Sequence, residues 1–179
     1  AGLKNISDSI KNPILYFENN VSGTLALLKV MDQHHCKNII FSSSATVYGN
    51  PQYLPIDEIH PLNPITPYGR SKLMVEEILR CWVRDGSKKA CALRYFNPIG
   101  AHSSSIIGEY HIGSPNNLLP YLTKVVLGEE ESLKIFGGDY ETSDGTGERD
   151  YIHVTDLATA HVSAIKNIKT LEKFEALNV

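Results

Sequence analysis

Lys37-Asn38-Ile39-Ile40-Phe41 runs directly into Ser42-Ser43-Ser44. A loop holding Pro51, Pro55, Pro61 and Pro64 follows, and Pro67-Tyr68-Gly69-Arg70-Ser71-Lys72 then opens a segment containing Leu73, Val75, Ile78 and Leu79. A short apolar run bounded by polar residues predicts a strand buried on both faces, here with its carboxyl end at the serines. Proline is accommodated in the first turn of a helix, so Pro67 marks a helix entrance, and the apolar residues after it can face a sheet. The order strand, long loop, helix is that of a β/α repeat and predicts an α/β fold with a parallel sheet.

The rest of the chain is consistent with that order. Asn12-Pro13 followed by Ile14 to Met31 predicts one long amphipathic helix whose core stripe is Phe17, Val21, Leu25, Leu28 and Met31. Ala90 to Phe96 predicts a second buried strand, turning at Asn97-Pro98-Ile99-Gly100, so that two strands deliver polar residues to one sheet edge. Ser103 to Asn117 is rich in Gly, Ser, Pro and Asn; after it come an expected helix from Leu118 to Leu127 and an expected short strand from Ser132 to Phe136. Asp139 to Arg149 is a polar loop and Asp150 to Val154 a short strand. Thr155 is the expected cap of a helix from Asp156 to about Ile168.

The chemistry sits at the repeat described first. Tyr68 and Lys72 are four positions apart, so on a helix they project from one face, one turn apart. A free phenol has a pKa of about 10, too high for a base near neutrality, and an adjacent ammonium favours the phenolate. Tyr-x-x-x-Lys alone recurs by chance in many helices. Its place at a helix entrance, after a strand that ends in serines, makes Ser44, Tyr68 and Lys72 a proton-transfer set, because ligands of open α/β sheets gather at the carboxyl ends of the strands.

The charge and cysteine content exclude several classes. A net charge of −3 with scattered Lys and Arg offers no basic face for nucleic acid. No apolar run reaches the roughly 20 residues of a membrane helix, and the first residues lack a signal-peptide pattern, so a cytoplasmic location is expected. Cys36, Cys81 and Cys91 have no C-x-x-C spacing and are expected to be buried reduced thiols. His34-His35 has no accompanying ligand cluster, and no metal site is expected; His153 and His161 are structural or polar-edge residues. No G-x-G-x-x-G is present, so the usual phosphate-cradling turn of a dinucleotide fold is missing. Both ends read as cut. The chain is expected to be a fragment of a longer enzyme, inactive by itself, or a protein without its cofactor half.

Several blocks, in order, resemble the UDP-galactose 4-epimerase family of the extended short-chain dehydrogenase/reductases. They are Ala1 to Lys4, Ser44 to Pro51, Pro67 to Lys72, Arg94 to Pro98, Pro115 to Leu118, Asp144 to Gly147 and Arg149 to His153. The resemblance implies the carboxyl-side part of a Rossmann-like doubly wound parallel sheet with part of a smaller substrate-binding region. Residues 1–100 would be a partial NAD-binding domain, 101–150 mostly the substrate-binding region, and 151–179 the return to the first domain. It also implies NAD as cofactor, a UDP-hexose as substrate, interconversion of UDP-galactose and UDP-glucose through a 4-keto sugar, and a homodimer. Tyr68 would take the proton of the sugar 4-hydroxyl, Ser44 would bond the same oxygen, and Lys72 would hold the nicotinamide ribose and lower the tyrosine pKa. Lys4, Asn19 and Tyr95 would join Tyr68 and Lys72 at NAD. Ser44, Ala45, Thr46, Tyr95, Phe96, Asn97, Asn116, Asn117, Leu118, Phe136 and Arg149 would line the sugar nucleotide, with Arg149 on the diphosphate.

Two other readings share these residues. A related dehydratase or reductase uses the same Ser, Tyr, Lys set, but a dehydratase needs an acid and a base beside the serine. Ser44 is followed by Ala45 and Thr46, with no Asp-Glu pair. A non-catalytic truncated isoform or sugar-nucleotide binding module would keep the pocket without the cofactor.

Overall fold

The computed structural model describes residues 2–108 and 117–179. They form two units, Ala1–Phe96 with Ala158–Val179, and Asn97–Leu157.

The first unit is a parallel sheet covered on both faces. Its strands are β1 (Asn38–Ser42), β2 (Lys89–Arg94) and, last along the chain, a strand at Phe174–Asn178; β2 lies in the middle. Asn38 pairs with Lys89 and Ser42 with Leu93, while Ala90 pairs with Phe174 and Arg94 with Asn178. Side chains alternate across a strand, and the two apolar clusters follow that alternation. Ile39, Phe41, Ala90 and Phe174 pack with Val21, Leu28, Met31, Val75, Leu79 and Val83 on one face. Ile40, Cys91, Leu93 and Leu177 pack with Ala160, Ala164 and Ile168 on the other. Helices on both faces of a parallel sheet make this a doubly wound α/β arrangement, as expected.

The helices of the first cluster begin with α1 (Ile6–Lys11), capped by the Asn5 side chain on the Asp8 N–H, and α2 (Pro13–Phe17). The single long helix expected from Ile14 to Met31 is instead α2, a wide π turn at Glu18–Ser22 and α3 (Gly23–Gln33). A π turn changes the phase of the helix. Val21, Leu28 and Met31 are buried, but Leu25 is 49% exposed, contrary to the expected stripe. α4 (Pro67–Trp82) begins as the sequence predicts: Thr66 precedes Pro67, and its hydroxyl accepts from the Gly69 N–H at 3.1 Å. Cys91 is buried, whereas Cys36 and Cys81 are exposed, correcting the expectation of three buried thiols. Cys36 lies in the turn after α3 and Cys81 on the outward side of the last turn of α4.

In the second unit, β3 (Asn97–Ile99) pairs in parallel with β4 (Tyr151–His153), and the Asn97 amide donates to the Asp150 carbonyl at 2.9 Å. α5 (Leu118–Val126) follows the long loop. The strand expected at Ser132–Phe136 does not form: the segment is irregular, has no strand partner and leaves Phe136 84% exposed. Asp139 to Arg149 is a loop closed by its own hydrogen bonds, the Asp144 carboxylate accepting from the Thr146 N–H at 2.9 Å and its hydroxyl at 2.8 Å. α6 (Val154–Asn167) starts directly after β4, so Thr155 lies inside its first turn rather than capping it. Nδ1 of His153 takes the Thr155 N–H at 3.3 Å and supplies that cap. The last strand of the sheet, Phe174–Asn178, is β5. Among the described residues, no helix is long and apolar enough to cross a membrane.

Candidate active site

The site is built where β1 ends against the first three turns of α4. Ser44 stands in extended backbone and opens a 3-10 turn at Ala45–Val47. Its Oγ accepts from the Thr46 N–H at 3.2 Å and from the Thr46 hydroxyl at 3.0 Å. The Ser44 hydroxyl also acts on the Tyr68 phenol in the sense that favours the phenolate. Thr46 thus braces the hydroxyl that acts on the phenol. The approach of α4 that permits it depends on Gly69: a Cβ there would stand 2.7 Å from the Thr46 carbonyl oxygen and 3.1 Å from Cβ of Pro64. Any larger residue would push the helix entrance off the serine turn.

Lys72 is one turn along the same helix face and only 9% exposed. Its Nζ donates to the Ser42 carbonyl at 2.8 Å and stands 4.9 Å from the centre of the Phe41 ring and 5.6 Å from that of Tyr68. The ammonium has three donors, and the hydrogen bond to Ser42 takes one of them. Burial pulls its pKa down to about 8. Burial pushes the Tyr68 phenol the other way, up to about 12, against the lowering effect of Ser44; Tyr95 and Tyr16 add smaller upward contributions. The sequence argument expected the lysine to lower the tyrosine. In the folded chain desolvation dominates and Lys72 is not among the groups that move the phenol, because the ammonium lies beside the ring and is committed to a carbonyl. Ionising a phenol held at 12 rather than 10 costs about 3 kcal/mol more.

Beside Lys72 runs the Gly2-Leu3-Lys4 segment. It is clamped by Asn20 in the π turn, whose side chain accepts from the Leu3 N–H at 2.8 Å and donates to the Leu3 carbonyl at 3.0 Å and to the Ser71 hydroxyl at 3.1 Å. A Cβ on Gly2 would meet the Asn20 side chain at 3.1 Å and come within 3.9 Å of Lys72 Nζ. Asn19, next along, is exposed, and its Oδ1 also accepts from Leu3 at 3.3 Å. Tyr95 is half-buried; its carbonyl accepts from the Ala45 N–H at 3.0 Å.

The residue pattern of the full chain, 1–179, matches the model of the NAD dependent epimerase/dehydratase family. The chain belongs to that family. It is 55% identical over 171 residues to the UDP-glucose 4-epimerase of Mus musculus, covering 94% of this chain and 49% of the mouse protein. It is 53% identical to the human UDP-glucose 4-epimerase over the same shares. Among solved structures it superposes on UDP-glucose 4-epimerase from Stenotrophomonas maltophila, crystallised with NAD and formylated UDP-arabinopyranose, with a TM-score of 0.96 and 46% identity over all of this chain and 54% of the other. For the Bifidobacterium longum enzyme, crystallised with NAD+ and UDP, the TM-score is 0.91 and the identity 51%, again over all of this chain and 54% of that one. The chain thus spans about half the length of the curated relatives it matches.

The side chains expected to transfer protons all lie in the first unit, Ser44 bonded by Thr46 and Lys72 beside the Tyr68 ring. The residues expected to line the sugar nucleotide from the second unit are scattered over its surface. Asn97 is taken up in holding β3 to β4. Asn117 and Leu118 stand exposed at the start of α5, and Arg149 is exposed with one guanidinium N–H on the carbonyl of its own neighbour Glu148 at 2.7 Å. Phe136 is not a core residue, and Asn116 lies outside the described residues. Of Ala45 and Phe96, the structure shows half-buried residues at the carboxyl ends of β1 and β2.

Sequence reasoning missed a set of buried polar groups behind the site. Glu76 and Arg94 form a two-pronged ion pair at 3.0 and 2.6 Å with exposures of 0 and 1%. Glu76 also accepts from the Ser43 hydroxyl at 2.5 Å. Arg94 donates to the Tyr48 phenol at 3.0 Å, and Tyr48 to Asn178 Oδ1 at 2.6 Å. Burial opposes the charge on Arg94, and its bonds to Glu76 and Tyr48 overcome that and raise its pKa. Two signals were present: Glu76 continues the Tyr68, Lys72 spacing by a further four residues, and Arg94 is a charge closing an apolar strand, where it demands a partner.

Proposed function

We propose that this chain carries the proton-transfer machinery of an NAD-dependent UDP-glucose 4-epimerase, which interconverts UDP-galactose and UDP-glucose through a 4-keto sugar. The observation that carries the reading is the Ser44 hydroxyl, braced by Thr46 and acting on the buried Tyr68 phenol, with a buried ammonium beside it. The names of the relatives supply the substrate class.

The residues present fit NAD. Lys72 is a buried cation with two donors beyond its bond to Ser42, the right complement for a ribose diol, and Gly2 leaves open the space next to it that any side chain would fill. Lys4, Asn19, Tyr68, Lys72 and Tyr95 would hold the cofactor. When bound, NAD supplies reversible hydride exchange at the sugar C4. Tyr68 takes the proton of the 4-hydroxyl, and the Ser44 donor meets the charge that develops on the oxygens, itself supported by Thr46. Proton removal near neutrality needs the phenol well below 12, and Lys72 is the cation within reach once its remaining donors turn toward the phenol side. Asn97, Asn117, Leu118, Phe136 and Arg149, all in the Asn97–Leu157 unit, would line the UDP-hexose, with Arg149 on the diphosphate. The absence of an Asp-Glu pair after Ser44 speaks against dehydration. A homodimer is part of the proposal, supported by the exposed apolar side chains Ile14, Leu15, Leu27, Val30 and Met74 on α2, α3 and α4.

The test is made on the product of the complete gene, following UDP-glucose formed from UDP-galactose. Tyr68→Phe is expected to lower turnover about a hundredfold or more with NAD still bound, and near-normal turnover would remove the tyrosine from its role. Arg149→Ala is expected to weaken UDP binding by about 2 kcal/mol; unchanged affinity would leave Arg149 a solvated loop charge.

A further inference from the structure

The backbone bends where the site needs it. In a regular strand the side chains of Ser43 and Ser44 would point to opposite faces of the sheet. Here the Ser43 N–H reaches back to the Phe41 carbonyl at 3.0 Å while also bonding the Leu93 carbonyl at 2.9 Å. The first of these bonds is a three-residue turn centred on Ser42 at the end of the strand. It lets two consecutive serines both engage α4.

One helix face holds that bend at three points. Tyr68, Lys72 and Glu76 follow one another at four-residue spacing and are all buried. Lys72 meets the Ser42 carbonyl and Glu76 the Ser43 hydroxyl, and the helix that carries Tyr68 packs against the Ala45–Val47 turn that Ser44 opens. Glu76 cannot swing away, because the Arg94 guanidinium grips both of its oxygens. Arg94 is in turn fixed by the Tyr48 phenol and the Glu58 carbonyl, at 3.0 and 3.4 Å. A fully buried ion pair is a poor source of stability, since well-packed apolar residues commonly replace one without loss; its best-attested use is to impose register. What Glu76 and Arg94 register here is the serine turn.

We propose that the buried Ser43, Glu76 and Arg94 assembly sets the position of the Ser44 hydroxyl against Tyr68, which makes Ser43 and Glu76 positioning residues for the proton transfer. Neither needs to touch substrate. Their action runs through the bend at Ser42 to the hydroxyl next in sequence. The catalytic part of this inference rests on the epimerase reading above; the geometric part does not.

Ser43→Ala is the direct test, because it removes the donor to Glu76 and leaves the ion pair whole. The protein is labelled with 13Cζ-tyrosine, and the Tyr68 signal is identified by its loss in Tyr68→Phe. Ser44→Ala sets the shift caused by losing the hydroxyl outright. Ser43→Ala is expected to move the Tyr68 signal in the same direction by about half as much, and Ser43→Thr, which restores a hydroxyl, to return it. A Tyr68 signal unmoved in Ser43→Ala, or unmoved in Ser44→Ala, would overturn the proposal. If Ser43→Ala does not fold, Ser43→Cys with its weaker donor is read by the same criterion. In the turnover assay Ser43→Ala is expected to lower kcat about tenfold with KM and melting temperature nearly unchanged. A lower melting temperature with unchanged kcat would mean the assembly is only structural. Absence of turnover in the parent would count against the epimerase reading alone, and the tyrosine signal would still decide the positioning.

Discussion

The residues at the end of β1 and those on the surface of the Asn97–Leu157 unit stand in opposite physical states. Ser44, Tyr68, Lys72 and Glu76 are buried, and Lys72 and Glu76 are held by neighbours from distant parts of the chain. Asn117, Leu118, Phe136 and Arg149 are exposed, and the described hydrogen bond of Arg149 goes to its own sequence neighbour. Burial perturbs the ionisation of Tyr68 and Lys72 and fixes the geometry of the first group. Exposure leaves the second group free to be shaped by what binds. A proton-transfer set has to be pre-organised before substrate arrives, whereas side chains that grip a sugar nucleotide can be ordered by it.

Four measurements strain this contrast, from the largest effect down. Glu76→Ala leaves the Arg94 charge buried without its partner and should lower the unfolding free energy by about 3–5 kcal/mol in urea titration. A loss under about 1 kcal/mol would mean that water or another group reaches Arg94. Next comes Tyr68→Phe, with its hundredfold loss of turnover, about 3 kcal/mol in the barrier. It should leave the melting temperature almost unchanged, since the aromatic ring remains in place.

Lys72→Met gives the third. With its folded pKa near 8 and an unfolded value of 10.5, Lys72 binds fewer protons in the native state than in the unfolded one between these pH values. Native stability therefore rises with pH across that window, and below it the buried charge is a full penalty of about 3 kcal/mol. Removing the ammonium also removes the bond to the Ser42 carbonyl, about 1 kcal/mol. The variant should be more stable than the parent by about 2 kcal/mol at pH 7, with the gain shrinking as the pH rises from 8 toward 10.5. A variant less stable at pH 7 would show that the ammonium is better solvated than its burial implies. The smallest effect belongs to the exposed region: Arg149→Ala should change stability by less than about 0.5 kcal/mol, and a larger loss would show that the loop is held by more than its own turn.

The sequence by itself determined what depends on local repetition. The four-residue step from Tyr68 to Lys72 places both on one helix face whatever surrounds them. Pro67 marks the start of that helix, and the apolar runs before Ser42 and before Arg94 can only be buried parallel strands in a β/α order. It also suggested a strand at Ser132–Phe136, where the local pattern misled, and one long helix through Asn20, which forms but with a π turn inside it. Among the described residues no partner strand meets Phe136, and the π turn at Glu18–Ser22 shifts the helix phase so that Asn20 can clamp Leu3. What only the tertiary structure decided rests on residues far apart along the chain. Glu76 finds Ser43 and Arg94 across 33 and 18 positions, the strand bends at Ser42, and burial sends the Tyr68 and Lys72 pKa values in opposite directions. No periodicity encodes such pairings, because each is settled by which buried polar group finds a partner once the sheet and α4 have packed.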